Sequence, residues 1–402
     1  MSKRVKRLGS LIVLGCLMML GAAGQAAEVS NLYKASIEVA SRSVDARNAA
    51  VAQGLTTVLV RVSGSSTIAE EGAVQQAMSS PNRFVVQYGY QTREVLSPED
   101  GKMLKQVLLN VSFDPAAVNQ FLRHQGFPIW SSSRPNIVLW AAVRDGGSRQ
   151  VIGGRSQPAL QQALQFQAQR RGLPMTLPAY DDEDQTLVRA GDIWGMFVDP
   201  INEASQRYGA NVVVVTKILS TPDGVQISAA MNLDERQQWW ETSAQSMEAA
   251  VASFMDQVGD RVGERFAVQA SMDVGQQVIL EVAELSQLAD YARLGEYLDS
   301  VLAIRGWHLS VAKGTRHQYR LTLDSTLEAL EQSFRIDRKL LPQPPQLVVP
   351  LGQSQAEESP SKDLDSKGTE ADAAEQIEAT QITEIEADDP QPAAVLYYRW
   401  NG

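Results

Sequence analysis

The most restrictive feature of this 402-residue chain is the length of its apolar runs beyond residue 26. They are long enough for strands and too short for helices that cross a bilayer. Residues 137–143 and 211–215 are two such runs, and both are typical of strands in the interior of a sheet. Segments of helical periodicity alternate with the strands, as in residues 51–62, where the apolar side chains share one face. This alternation predicts an α+β fold.

The pattern divides into three small mixed α/β domains, which we place at residues 27–130, 131–269 and 270–350. The third has the order strand, helix, strand, strand, helix, and so lacks one strand of a ferredoxin-like unit. Either residues 346–350 or the apolar end of the chain supplies the missing strand. Because residues 393–402 are too apolar for a free tail, we expect them to return to the third domain as a strand.

An acidic segment, residues 351–392, separates the third domain from this C-terminal strand. Its composition predicts disorder. The chain carries a formal charge of −11, and most of its acidity falls in this one segment. The folded part is therefore only weakly acidic, which argues against nucleic-acid binding, since that depends on clustered lysine and arginine.

The first 26 residues have the three parts of a secretory signal: a basic start, an apolar core at residues 8–20 and small residues up to Ala26. Cleavage there predicts a periplasmic protein without a transmembrane span. Peripheral association with the outer membrane is compatible with this prediction. A lipoprotein processed at Cys16 is the less favoured alternative, because the apolar run continues through residues 17–20.

Cys16 is the only cysteine, so a chain cleaved at Ala26 has neither a disulfide nor a thiolate ligand. Two of the three histidines, His308 and His317, are expected on one face of a hairpin that turns at Lys313-Gly314. Since no third ligand is evident nearby, we predict no metal site. The paired glycines at 146–147 and 153–154 match neither a phosphate-binding loop nor a dinucleotide fingerprint, and no cofactor is predicted.

An acid cluster around Asp181 and Asp184 is the densest in the folded part of the chain. Adjacent acids do not suit either a calcium loop or the separated carboxylates of a glycosidase, and we interpret them as a polar loop. With Asp192 they remain the basis of an alternative hypothesis, a carboxylate-dependent hydrolase. As exposed residues that contact a partner we propose Trp194, Trp240 and the pair Arg207–Tyr208 together with Asp181 and Asp184.

Several short motifs together resemble domain-of-unknown-function family 2066, whose members are exported envelope proteins of Gram-negative bacteria. The motifs are Phe113-Asp114-Pro115, Gly126-Phe127-Pro128-Ile129-Trp130, Arg134-Pro135-Asn136, Arg171-Gly172-Leu173-Pro174, Asp192-Ile193-Trp194-Gly195 and Arg207-Tyr208-Gly209-Ala210. The resemblance implies an envelope location and this domain plan, and it implies no activity. Residues 204–215 are also similar to a small α/β module of periplasmic assembly proteins, which is an analogy of fold alone.

The leading hypothesis is a non-catalytic interaction or assembly factor of the cell envelope, whose partners are other envelope proteins. The hydrolase is one alternative. A protein that binds peptidoglycan or a small solute in a groove between domains is another.

Overall fold

The computed structural model describes residues 27–96, 102–145, 147–233, 236–269, 275–344 and 394–402. Helices and mixed sheets fill this part of the chain and confirm the α+β class. The predicted signal peptide and the acidic segment lie outside the described residues. Within them, no helix combines the length and the apolar character needed to cross a membrane.

The N-terminal region packs one long helix on a three-stranded antiparallel sheet of order β2-β4-β3. Its elements are β1 (Ala27–Glu28), β2 (Lys34–Val39), α1 (Val44–Ser63), α2 (Gly72–Met78), β3 (Val85–Leu96), β4 (Met103–Phe113) and α3 (Pro115–His124).

Helix α1 has clear sequence signals at both ends. The Ser43 hydroxyl accepts a hydrogen bond from the Ala46 amide at 3.2 Å, which satisfies one free donor of the first turn. Gly64 ends the helix with φ of 80°, a conformation that costs glycine nothing and strains other residues. Both signals support the predicted helix and its stop.

The central region is one sheet covered on both faces. The strands of this sheet are β6 (Ile137–Asp145), β7 (Ser148–Ile152), β8 (Met175–Thr176), β9 (Val212–Thr221), β10 (Gly224–Leu233) and β11 (Arg236–Ala244). The short strand β5 (Ser133–Arg134) precedes them and lies outside the sheet. Its helices are α4 (Pro158–Arg171), α5 (Asp182–Leu187), α6 (Ala190–Gly195), α7 (Val198–Ser205) and α8 (Met247–Phe266).

The strand order in this sheet is β11-β10-β9-β6-β7, with β8 also beside β6. Strands β6 and β9, which carry the two apolar runs, are parallel neighbours in the middle, as their composition predicts. Helices α4 and α8 pack on one face, while α5, α6 and α7 pack on the other.

The third region is ferredoxin-like, with an additional strand in the sheet. Its elements are β12 (Gln277–Ala283), α9 (Leu288–Ser300), β13 (Ile304–Lys313), β14 (Arg316–Leu323), α10 (Leu327–Asp337), β15 (Leu340–Pro342) and β16 (Ala394–Trp400). The sheet order is β13-β14-β12-β16-β15.

Strand β16 confirms that the C-terminus returns to this sheet, and its position is internal. It runs parallel to β12 and antiparallel to β15, and so separates the two. Leu396, Tyr398 and Trp400 join the apolar core of this region. Three of the seven residues of β16 therefore complete a core built from residues more than 50 positions earlier in the chain.

The first and central regions meet at a buried arginine. Arg134 lies over the Trp130 ring at 4.1 Å and donates to the carbonyls of Arg61 (2.7 Å), Gly172 (2.9 Å) and Ser131 (3.0 Å). Burial, with the positive charge of Arg61 as a second cause, lowers the pKa of Arg134 to about 9. A guanidinium suits this place because its fixed fork of donors satisfies several carbonyls at once.

Backbone pairing crosses the expected domain boundary at residues 130/131. Strand β1 pairs with β5, and Ile129 forms a bridge with Val268. The division at residues 130/131 and 269/270 accordingly stays a prediction.

Candidate functional site

The acid cluster forms a helix rather than the expected loop. Residues 182–187 are α5, and the Asp181 carboxylate accepts a hydrogen bond from the Asp184 amide at 3.1 Å. An aspartate before the first turn, followed by acidic residues within it, stabilises the positive end of a helix. The prediction of a loop was wrong because Asp181 caps the helix and the acids that follow it stabilise its first turn.

Arg207 forms ion pairs with the acids at the start of α5. Its guanidinium meets both carboxylate oxygens of Asp181 at 2.9 Å and one oxygen of Asp184 at 3.0 Å. The bidentate hydrogen bonds from Arg207 lower the pKa of Asp181 to about 2, and they raise the pKa of Arg207. The sequence placed these residues in one candidate site, and the fold brings them together.

Asp184 is fully buried beneath this pair, so the expectation that it is an exposed contact residue was wrong. Its second oxygen accepts from the Tyr180 amide at 2.8 Å and from the Tyr208 hydroxyl. Burial, and then the hydrogen bond to Asp184, raise the pKa of Tyr208 to about 12. Both oxygens of Asp184 are committed to internal bonds, as a buried charge requires.

Asp192, the third acid of the hydrolase hypothesis, is also engaged. Its Oδ2 accepts from the Arg189 amide at 2.8 Å at the start of α6. A hydrolase needs acids that reach a substrate in a cleft. The internal bonds of Asp181, Asp184 and Asp192 give that hypothesis no support.

Trp240 is not an exposed contact residue. It is 8% exposed, stacks on Phe254 and has the Arg261 guanidinium 4.2 Å above its ring, while its neighbour Trp239 is 54% exposed. Adjacent residues of a strand point to opposite faces, and in β11 the side of Trp240 meets α8. The expectation of exposure was wrong for Trp240.

The two histidines lie on opposite faces of the third sheet. Bulges in β13 shift the register, so that His317 pairs with Ala312 and His308 pairs with Arg320. His317 is buried and contacts the Tyr291 hydroxyl, whereas His308 is exposed. Desolvation lowers the pKa of His317. The expectation of a shared face was wrong, and no group of metal-ligating side chains occurs among the described residues.

Trp194 belongs to a different kind of surface. Arg144 and Arg149 are directly opposite each other at the end of the β6–β7 hairpin. Their guanidiniums lie 5.2 and 4.9 Å from the centre of the Trp194 ring. Phe197, whose ring covers Gly195 of α6, is 59% exposed. We call Arg144, Arg149, Trp194 and Phe197 the aromatic–arginine surface.

Like charges that face each other across a ladder destabilise a sheet. Within the described chain neither Arg144 nor Arg149 has an ion pair or a side-chain hydrogen bond, so the ring of Trp194 is what they contact. The sequence pointed to Trp194 but missed the two arginines and Phe197. Two arginines flanking the paired glycines of a short hairpin were the signal that could have found them.

The comparisons with known proteins name no activity. Residues 26–131 match the family model of a domain of unknown function (DUF8605). This fits the expectation of an uncharacterised domain and does not extend to family 2066. No curated protein and no solved structure matches the chain.

Proposed function

We propose that this protein is an exported, non-catalytic interaction factor of the cell envelope, and that it binds a partner protein through the aromatic–arginine surface. The observation that carries the proposal is the pair Arg144 and Arg149, which face each other without an acidic partner in the described chain. Natural proteins keep such locally unfavourable arrangements mainly at functional sites.

The chemistry of the surface favours an acidic partner. A guanidinium can donate two parallel hydrogen bonds to a carboxylate, and arginine and tryptophan are enriched among the residues that dominate binding energies. Phe197 adds an exposed apolar ring beside them. We infer that the partner presents an acidic side chain next to an apolar one.

The periplasmic location follows from the predicted signal in residues 1–26, and the similarity to family 2066 supports the same compartment. Both belong to this proposal. So does the three-domain plan, in which the central domain carries the binding surface.

The test is photo-crosslinking in intact cells with a photoreactive phenylalanine at position 197. Phe166, on α4 across the sheet, is 65% exposed and provides the matched control position. The proposal predicts a discrete cross-linked envelope protein from position 197 and not from position 166. Equal products from both positions, or none from position 197, would contradict it.

A further inference from the structure

A cavity of about 300 Å³ lies between the central and third regions. It is bounded by the end of α8, one side of α10 along its length and residues 131–133. None of the residues discussed for the aromatic–arginine surface lines it, so it is a separate feature of the molecule.

The lining is rich in hydroxyl groups: seven of its twenty residues are serine or threonine. Two of these hydroxyls donate their hydrogen to backbone carbonyls. Ser325 donates to the Gln269 carbonyl at 3.2 Å, and Ser333 donates to the Ala329 carbonyl at 2.9 Å. These hydroxyls can then serve a ligand only as acceptors. The cavity therefore selects a ligand with many donor groups.

The charge of the lining points the same way. Among the described lining residues, the carboxylates are Glu264, Glu328 and Asp337, and the one basic side chain is Arg265, which lies 3.7 Å from Glu328. Asp337 already accepts hydrogen bonds from the hydroxyls of Ser133 and Tyr297. This balance disfavours an anionic ligand. It favours a neutral ligand or one with an amino group.

Apolar side chains complete the lining, among them Phe266, Val268 and Ile336. A wholly apolar ligand would desolvate the hydroxyl and carboxylate oxygens and offer them no donor. A sugar ring has hydroxyls at its edge and C–H groups on its faces, and so it can satisfy both parts of the lining. We propose that this cavity binds an amino sugar or N-acylated amino sugar of monosaccharide size.

The proposal is tested by calorimetric titration of the full chain without residues 1–26, with glucosamine, N-acetylglucosamine and glucose 6-phosphate as probes. Saturable binding of at least one amino sugar is expected, with the phosphate at least about tenfold weaker. If neither amino sugar binds at concentrations up to roughly 10 mM, or if the phosphate binds as well, the proposal is overturned.

Two substitutions on α10 locate the binding. Ala329 lines the cavity and Arg335 is an exposed residue of the same helix that does not. Ala329→Leu fills part of the space and should weaken binding at least about tenfold, while Arg335→Leu should change it less than about twofold. Equal effects of the two, in variants whose circular dichroism matches the parent, would also overturn the proposal.

A third variant tests the part played by charge. Glu328 lines the cavity with a side chain that is 79% exposed, and Glu328→Gln removes a negative charge without loss of volume. It should weaken glucosamine, which carries an ammonium group, more than N-acetylglucosamine, which carries none. The reverse order would contradict the electrostatic part of the argument.

Discussion

Gly64, at the end of α1, and Gly263, in α8, touch backbone to backbone: a Cβ on Gly64 would lie 2.9 Å from the Cα of Gly263. Arg171 secures the same contact, because it donates to the Gly64 carbonyl at 2.7 Å and to Asp260 at 2.8 Å. Ser66 also donates to Asp260, from its amide at 2.7 Å and its hydroxyl at 2.6 Å. The N-terminal region is thus fixed to helix α8 of the central region by close packing and by a charge network.

The glycine contact leads to a prediction for Gly263→Ala. Although alanine favours a helix, its methyl group would lie 2.8 Å from the Gly64 carbonyl oxygen, so we expect a net loss of about 2 kcal/mol in the free energy of unfolding. Urea denaturation followed by tryptophan fluorescence measures it. Gly191→Ala, in α6 with open space around the added carbon, is the control and should raise stability by up to about 1 kcal/mol. Similar effects of the two would show that the close contact does not matter.

Arg134→Lys should destabilise the contact between the first and central regions, although it conserves the charge. One ammonium group cannot reach the carbonyls of Arg61, Gly172 and Ser131 together, and unsatisfied buried acceptors are costly. We expect a loss of about 3 kcal/mol, measured by the same denaturation. Arg93→Lys, on exposed strand β3, should be nearly neutral. A neutral result for Arg134→Lys would mean that water or movement satisfies these carbonyls.

The pair Asp181–Arg207 gives a prediction for pH. The pKa of Asp181 is lowered from 3.8 to about 2, so its stabilising contribution is complete above pH 4 and is lost as the pH falls through 2. Carboxyl-carbon NMR should find this midpoint near 2. In Arg207→Gln it should rise towards 3.8. An unchanged midpoint in the variant would show that capping of α5, and not Arg207, controls the titration.

Strand β16 predicts a sharp contrast between two substitutions. Trp400 is 7% exposed in the core, and Trp400→Ala should cost about 3 kcal/mol. Val395, on the other face of the same strand, is 41% exposed, and Val395→Ala should cost less than about 1 kcal/mol. Denaturation monitored by circular dichroism compares them. A small effect at Trp400 would argue that the strand does not complete the core.

The connection before β16 can be tested separately. The Gln343 amide donates to the Tyr397 carbonyl at 2.8 Å, so the chain leaves and re-enters the sheet at adjacent points. Deleting residues 350–389 should therefore keep the fold and stabilise it by about 1.5 kcal/mol, since a shorter loop costs less entropy to close. Loss of β16 from the sheet in this variant, seen by hydrogen exchange, would contradict the topology.

The sequence predicted the elements with strong local signals. The apolar strands β6 and β9, and the apolar face of α1 at residues 51–62, depend on neighbouring residues alone. The sequence pattern did not predict strand β11. Its first residues, Arg236, Gln237 and Gln238, are all polar, so the alternation of polar and apolar residues that marks a half-buried strand is absent there. The position of β16 between β12 and β15 depends on pairing across a long connection, which local pattern does not encode.

The candidate site was also predictable only in part, because local sequence identifies its residues and not their packing. Asp181, Asp184, Arg207 and Tyr208 were singled out as charged and aromatic residues, and they do meet. Their internal saturation is a property of packing that composition cannot give. The buried arginines Arg134 and Arg171 could not be foreseen either, since arginine is seldom buried.

The central claim is that the aromatic–arginine surface binds a partner protein. Its most direct test is the yield of the cross-link from position 197 in cells whose protein carries both Arg144→Glu and Arg149→Glu. Arg42 and Arg47, which lie over Tyr90 and Tyr88 in the N-terminal region, give the matched control in Arg42→Glu and Arg47→Glu. We predict at least about a tenfold fall in yield for the first pair and under twofold for the second, at equal protein levels. An unchanged yield after reversal of Arg144 and Arg149, or equal losses in both pairs, would contradict the account.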